Sequence, residues 1–355
     1  MNYKYCNKKV SVAMSGGVDS AVAAFLLKKK GYDVTGVYMK NWSDPLADHC
    51  PWKEDIKDFY KICKVLKIPP KIEIFENEYR KKIVDYLVKG YKQGITPNPD
   101  MLCNREIKFK LFLDKAKKDG ADFIATGHYV IKKDYKKIPN LFTAKDNNKD
   151  QSYFLALLNQ YQINNSLFPI GNYQKSEIRS IAKKAKIPVY NKKDSQGICF
   201  IGKVKFSDFI REFIPTKPGN IITTDGKVIG RHDGIYYYTI GQRHGLKIGG
   251  GIPYYIIKKD VKKNVLIVVK GNKEKSLTSK VAKVYAFNWI DKRDKNLIKI
   301  CKARVRYRQP LQNCKIKFTN NNLNLMFNTE QRAVTPGQFA VLYKNSRMLG
   351  GGIIK

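Results

Sequence analysis

The chain has 355 residues, 43% of them apolar, which is enough to bury proper cores and excludes wholesale disorder. Its 68 basic and 30 acidic residues give a net charge of +38, pointing to a polyanionic partner such as nucleic acid. Lysine outnumbers arginine 56 to 12 and asparagine, isoleucine and tyrosine abound, so part of that charge reads equally as A/T-rich codon usage on solvated faces.

In chain order, "KKVSVAM" predicts a buried strand and "VDSAVAAFLLKKKG" a helix, with Val22, Phe25 and Leu26 on one face and Gly31 as its stop. "YDVTGVYM" predicts a second strand. A helix near 52–66, strand "KIEIF", helices near 77–90 and 105–118, and strand "ADFIATG" follow. This alternation predicts a parallel sheet with helices on both faces, and ligands beyond the carboxyl ends of its strands. Residues 151–187 read as helical, with Gly171 and Pro188 as punctuation. Beyond about 203 glycines multiply, and "GIYYYTI", "PYYIIKKD" and "NVLIVVKG" predict strands, the last two joined by a turn. A second β-rich block from about 277 carries "KARVRYRQPL", "CKIKFT" and "FAVLYK". The expected domains are therefore 1–203 (α/β), 204–276 (small, β-rich) and 277–355 (a β-barrel or sandwich).

No apolar run approaches the roughly 18 residues of a membrane span. The segment "MNYKYCNKKVSVAM" lacks the apolar core and cleavage site of a signal peptide, so the expected location is cytoplasmic, away from membranes. Seven cysteines without a C-x-x-C pair argue against a disulfide scaffold or a structural zinc site. Neither they nor His49, His128, His232 and His244 sit at ligand spacing, and no protein metal site is expected.

"AMSGGVDS" (Ala13, Met14, Ser15, Gly16, Gly17, Val18, Asp19, Ser20) lies between the first strand and the first helix. The glycines let backbone approach an anion, the serines add hydroxyl donors, and the helix N-terminus directs its amides there. No lysine follows as in a Walker loop, and the pattern is not GxGxxG. "TPNPDMLCNREIKF" is a loop, pinned by Pro97 and Pro99, that ends at a helix start. At that N-terminus the helix dipole and Arg105 would favour a Cys103 thiolate, and Asp100 could relay a proton. The plainer reading is that Asp100 or Asn104 caps the helix and Cys103 packs beneath it. In "KKDSQGICFIG" Cys199 sits between a polar approach and an apolar exit, open to being a buried, metal-bound or reactive thiol.

SGGxDS after a first strand resembles the pyrophosphatase-loop enzymes, which cleave ATP between its α- and β-phosphates. The loop together with the two cysteine segments resembles the tRNA-specific 2-thiouridylases, the MnmA family. Nearly the whole chain takes part, through "AMSGGVDS", "YMKNW", "GITPNPDMLCNREIKF", "ATGHY", "KDQSYFL", "LFPIG", "KKDSQGICFIG", "YYTIGQRHGLKIGGG", "VRYRQP", "AVTPGQFAVLY" and "LGGGII". Val130, His244 and Lys247 are small departures that touch no reactive group.

The resemblance implies an N-terminal parallel-sheet domain of the adenine-nucleotide alpha-hydrolase type with two smaller β-rich domains, the last a β-barrel. It implies replacement of the 2-oxygen of the wobble uridine by sulfur, with ATP and Mg2+ as cofactors. Residues 13–20 would hold ATP, with Asp19 near magnesium and the leaving pyrophosphate, Met39 on the adenine and Gly127 at the nucleotide. Cys199 would carry a persulfide, Cys103 would either reduce it to release hydrosulfide or attack after transfer and close a Cys103–Cys199 disulfide, and Asp100 would act as acid or base. Asn98, Pro99, Asp100, His128, Lys149, Asp150, Gln151, Arg306, Tyr307 and Gln338 match positions that touch tRNA. The implied partners are the wobble-uridine tRNAs for lysine, glutamate and glutamine and a sulfur donor, either a cysteine desulfurase or a relay protein. A monomer is expected. From the residues alone, His128 and the alternating charges of "RVRYR" read equally as structural, and Cys6, Cys50, Cys63, Cys301 and Cys314 as packing thiols. The alternatives are another adenylating ligase with the same loop and a non-catalytic tRNA-binding protein.

Overall fold

The computed structural model describes residues 7–43, 51–193, 206–249, 251–271, 275–319 and 322–355. Its first unit is built on β1 (Lys9–Ala13), β2 (Asp33–Lys40), β3 (Pro70–Ile74), β4 (Phe123–Thr126) and the two-residue β7 (Ser166–Leu167), with a hairpin of β5 (Ile131–Tyr135) and β6 (Ile138–Phe142) between the last two. The sheet runs β3-β2-β1-β4-β7, all parallel. Helices Val18–Lys29, Pro51–Leu66 and Lys175–Lys184 cover one face through Ala21, Val22, Phe59, Ile62, Ile178 and Ala182. Helical runs 76–92 and 99–118 cover the other through Tyr79, Leu87, Met101, Ile107 and Phe112. Burial on both faces is why Val10, Ser11, Val12 and Ala13 of central β1 are all buried, with no polar-out alternation.

Residues 151–187, expected helical, are helical only at Ser152–Leu155, Gln160–Asn164 and Lys175–Lys184. Tertiary contacts interrupt the pattern: Ser166 and Leu167 join the sheet beside β4, and Gly171 lies so close to Val130 that a Cβ would stand 2.0 Å from its carbonyl oxygen.

The middle unit holds β8 (Gly219–Thr223), β9 (Val228–His232), β10 (Tyr254–Asp260) and β11 (Val265–Lys270) in the order β10-β11-β8-β9. Strands β10 and β11 form the expected antiparallel hairpin. "GIYYYTI" is not a strand: it opens with a 3-10 turn, Ile235–Tyr237. Tyr237 folds back over Gly234, whose missing side chain makes room for the ring, and donates its hydroxyl to the Ile214 carbonyl (3.0 Å).

The last unit has β12 (Thr278–Trp289), β13 (Ile300–Arg304), β14 (Gln312–Thr319), β15 (Asn322–Arg332), β16 (Phe339–Lys344) and β17 (Arg347–Ile354). The order β12-β15-β14-β13-β16-β17 closes through β12–β17 pairing into a six-stranded barrel. "RVRYR" leaves the strand after Arg304, and Arg308 turns with φ 64°. Period-two alternation explains how the barrel joins the first unit: Ala340 and Leu342 of β16 fill its interior, while Phe339, Val341 and Tyr343 pack into the core that contains Met101 and Phe112. The β5–β6 hairpin extends the same barrel sheet through Phe142 opposite Arg347.

Candidate active site

Residues 14–17 turn at the carboxyl edge of the sheet, where the strand order departs from β1 in both directions, the position at which such sheets bind ligands. The Met14 amide donates to the Val37 carbonyl (2.8 Å), fixing the start of the loop against β2. Gly16 has φ 71°, and a Cβ there would meet the Asp55 carbonyl oxygen at 2.5 Å, so both conformation and space require glycine. Gly17 caps the helix with extended backbone and no side-chain bond, leaving the first-turn amides open to an anion. The Ser20 hydroxyl donates to the Gly17 carbonyl and accepts from the Ser15 amide (3.2 and 3.3 Å), bracing the loop from within. Gly127, at the end of β4, lies against this helix start: a Cβ would stand 2.7 Å from Ser20 N and 2.8 Å from Asp19 C.

Two lysines to which no sequence motif gives a role close over the loop. Lys175 Nζ donates to both oxygens of Asp19 at 2.8 Å, and the Tyr129 hydroxyl donates to the same carboxylate at 2.7 Å. Lys175 opens its helix, where its amide is held by Asp146 (2.9 Å). Lys192 Nζ reaches Asp55 and Asp58 at 2.8 Å each and the Gly16 carbonyl at 3.4 Å. These donors, with the open helix start, suit a nucleotide's phosphates. The only signal for Lys175 was a basic residue opening a helix ahead of Glu177, which is not distinctive.

The helical run 99–118 is capped by Asn98, whose Oδ1 accepts from the Met101 amide (3.3 Å), not by Asp100 or Asn104. Pro99 occupies the first turn, where its missing N–H costs nothing. Asn104 is instead buried and donates to the Phe154 carbonyl (3.1 Å). Cys103 ends the first α-helical stretch, just before a π-helical segment, Asn104–Leu111. It is 1% exposed and belongs to the same core cluster as Met39. Asp100, in the first turn of that helix, is half-buried. Cys199 lies outside the described residues, as do Cys6, Cys50 and His49.

Several expected tRNA contacts are occupied within the fold. His128 is buried, with Nδ1 2.8 Å from the Thr126 hydroxyl and Phe109 packed beside it. Desolvation, then the charge of Lys108, holds its pKa well below the ordinary histidine value, so the ring is neutral. Asp150 is 2% exposed. One oxygen accepts from the amides of Ala144 and Ser152, and the other from Arg304 of the barrel (2.8 Å). Gln151 Oε1 accepts the Tyr129 amide (2.9 Å), steadying the residue that reaches Asp19. Gln338 donates to the Thr96 carbonyl (2.8 Å) and so ties the barrel to the Cys103 loop. Tyr307 packs on Phe154 at 4.4 Å, while Arg306 is exposed and Lys149 half-buried. Cys63, Cys301 and Cys314 are buried thiols, and burial pushes Cys63 up to about 11. No cluster of three or more metal-ligating side chains occurs among the described residues. No helix among them is long and apolar enough to cross a membrane.

Three family models match the chain in succession: a tRNA methyl transferase HUP domain over 8–203, a tRNA methyl transferase PRC-barrel domain over 207–270, and an aminomethyltransferase beta-barrel domain over 279–354. The tRNA-specific 2-thiouridylase MnmA of Hydrogenovibrio crunogenus is 47% identical over 98% of this chain and 94% of its own. The protein of the same name from Coxiella burnetii is 47% identical over 98% of both chains. That from Alkaliphilus oremlandii is 47% identical over 98% of this chain and 96% of its own.

Proposed function

The chain belongs to the tRNA-specific 2-thiouridylase family, and from that membership we propose that it replaces the 2-oxygen of the wobble uridine of tRNA with sulfur at the expense of ATP. The observation that carries this reading is the glycine-lined loop at the carboxyl edge of the sheet, with Lys175 and Lys192 on it and the Cys103 helix packed on the same sheet. The family models' descriptions speak of methyl transfer, but a phosphate cradle beside a cysteine suits activation by ATP and attack by sulfur.

In the proposed reaction the uracil 2-oxygen attacks the α-phosphorus of ATP, and pyrophosphate leaves. Gly16, Gly17 and the helix amides would orient the phosphates, and Lys175 would neutralise charge on the departing pyrophosphate while Asp19 turns to a cation. Mg2+ fits as an ion carried mainly by phosphate oxygens, with Asp19 as the candidate protein carboxylate. Asp100, at the mouth of the Cys103 helix, is the proposed acid or base. A persulfide on Cys199 then attacks C2 of the uracil and AMP departs. The Cys103 thiolate attacks the Cys199 sulfur, which releases 2-thiouridine and forms the Cys103–Cys199 disulfide. In the alternative order Cys103 attacks the persulfide first, and free hydrosulfide adds to C2. A thiol reductant restores both cysteines in either case. The exposed Arg306, with Lys149 and the basic surface, is proposed to hold the tRNA backbone.

Nucleoside analysis of tRNA incubated with the protein, ATP, Mg2+ and a sulfide source tests the reading. 2-Thiouridine is expected only when ATP is present. With a persulfide-delivering donor, Cys103→Ala and Cys199→Ala are each expected to abolish the product while ATP binding persists. Thiolation at the normal level in either variant would sink the two-cysteine route.

A further inference from the structure

Asn41 directly follows β2 at the carboxyl edge of the parallel sheet. It is 1% exposed, and among the described residues neither its Oδ1 nor its Nδ2 has a hydrogen-bond partner. A buried carboxamide unpaired at both ends is costly, and an apolar side chain of similar shape would remove that cost. Its neighbours are engaged elsewhere. Lys40 pairs with Glu76 (3.1 Å), the Ser43 hydroxyl donates to Glu76, and Trp42 packs edge-on against Phe209 (5.6 Å). Val37 and Met39 enter the core cluster that contains Cys103, and strand alternation carries that side on to Asn41. The Val37 carbonyl anchors the start of the phosphate loop through Met14, and Asn41 lies about 13 Å further along the strand direction from that anchor. That is the order of distance at which a bound nucleotide's base would lie from its phosphates.

We propose that Asn41 reads a nucleobase edge at the carboxyl edge of the sheet, with Oδ1 accepting an N–H and Nδ2 donating to the adjacent acceptor. Uracil (N3–H beside a carbonyl) and adenine (N6–H beside a ring nitrogen) both present that pair. The uracil case rests on the thiouridylase reading, whereas the adenine case needs only the phosphate loop.

Asn41→Asp, Asn41→Ala and Asn41→Leu are compared with the wild-type protein in ATP affinity, kcat/KM for thiolation of an unmodified tRNA transcript, and thermal melting. If the base is adenine, Asn41→Asp weakens ATP binding by about 10- to 100-fold and narrows the preference for ATP over GTP. If it is uracil, ATP affinity holds and kcat/KM falls by a similar factor. Asn41→Leu should melt no lower than wild type while losing the same function, which separates lost recognition from lost folding. ATP affinity and kcat/KM both within about twofold of wild type in Asn41→Asp and Asn41→Ala overturn the inference. Should the wild-type protein make no 2-thiouridine, a changed ATP affinity in Asn41→Asp still supports the inference while the thiouridylase reading fails. An unchanged affinity in that case overturns both.

Discussion

Lys175 and Asp19 hold each other where a phosphate is proposed to arrive, so each keeps the other's charge satisfied until substrate enters. Lys175→Met would remove the cation and leave the Asp19 carboxylate facing the phosphates unopposed. Pyrophosphate release in the presence of tRNA should fall about 100-fold, the usual effect of losing one preorganised donor to a developing charge. A rate within a few-fold of wild type would remove Lys175 from the site. His128 shows a different kind of residue effect. Burial holds its pKa below the ordinary value of 6.5, so under acid conditions the unfolded chain takes up a proton that the folded chain refuses. Stability should therefore fall as pH drops through 6.5, by at most about 1.4 kcal/mol per pH unit from this group. His232 is lowered in the same direction by its own burial, so the check is the difference in urea midpoint between wild type and His128→Gln at pH 7.5 and 5.5. Equal acid losses in the two proteins would refute the assignment. The phosphate loop was legible in the sequence because its eight residues are contiguous. Lys175 was not, because 156 residues separate it from Asp19 and only the fold joins them. Likewise, no sequence pattern distinguishes an Asp150 that faces solvent from one buried under the barrel.

Among the elements, the strand–turn–helix start of the first unit depends on the fit of Gly127 against the loop. Gly127→Ala would place a Cβ into Ser20 N and the Asp19 backbone, which are rigid helix atoms rather than a flexible side-chain end. The helix start must shift, and with it the amides proposed to meet the phosphates. ATP affinity should fall at least about tenfold, while melting temperature changes modestly, as for other overpacked sites costing about 1–3 kcal/mol. Unchanged ATP binding would show that the helix start is not the phosphate site. Elements with a clean local period were legible: the alternating strands and helices of the first 126 residues, and the hairpin of β10 and β11. Those whose form is set by distant contacts were not. The aromatic run at 235–240 suits a strand by composition, yet it turns because Tyr237 finds a carbonyl partner at Ile214. The helical pattern after 151 breaks because Gly171 must pass close to Val130 and because Ser166 and Leu167 extend the sheet.

Across the whole molecule, the barrel does not merely follow the α/β unit in sequence. The ring of β16 side chains in the shared core, the Tyr153 hydroxyl on the Phe339 carbonyl (2.9 Å), the Asn288 amide on the Ala156 and Leu158 carbonyls, and the Arg304–Asp150 pair all cross the junction. Of these, the ion pair leaves the costliest partner when broken, because that partner is a buried charge. Asp150 is buried and also accepts two backbone amides, so Arg304→Met would strand a carboxylate in the interior and should cost about 3–5 kcal/mol. Adding Asp150→Asn removes the stranded charge while keeping acceptors for those amides, so the double variant should recover part of that loss. The functional consequence separates the two units. ATP binding, proposed at the loop after β1, should persist in Arg304→Met, whereas the strand that carries Arg304 leads directly into Arg306, proposed to meet tRNA. Affinity for tRNA should therefore drop in Arg304→Met and return with the double variant, read by filter binding at fixed salt, since a chain of net charge +38 binds RNA more weakly as salt rises. Equal losses of ATP and tRNA binding would mean that the junction supports the whole fold rather than orienting the barrel.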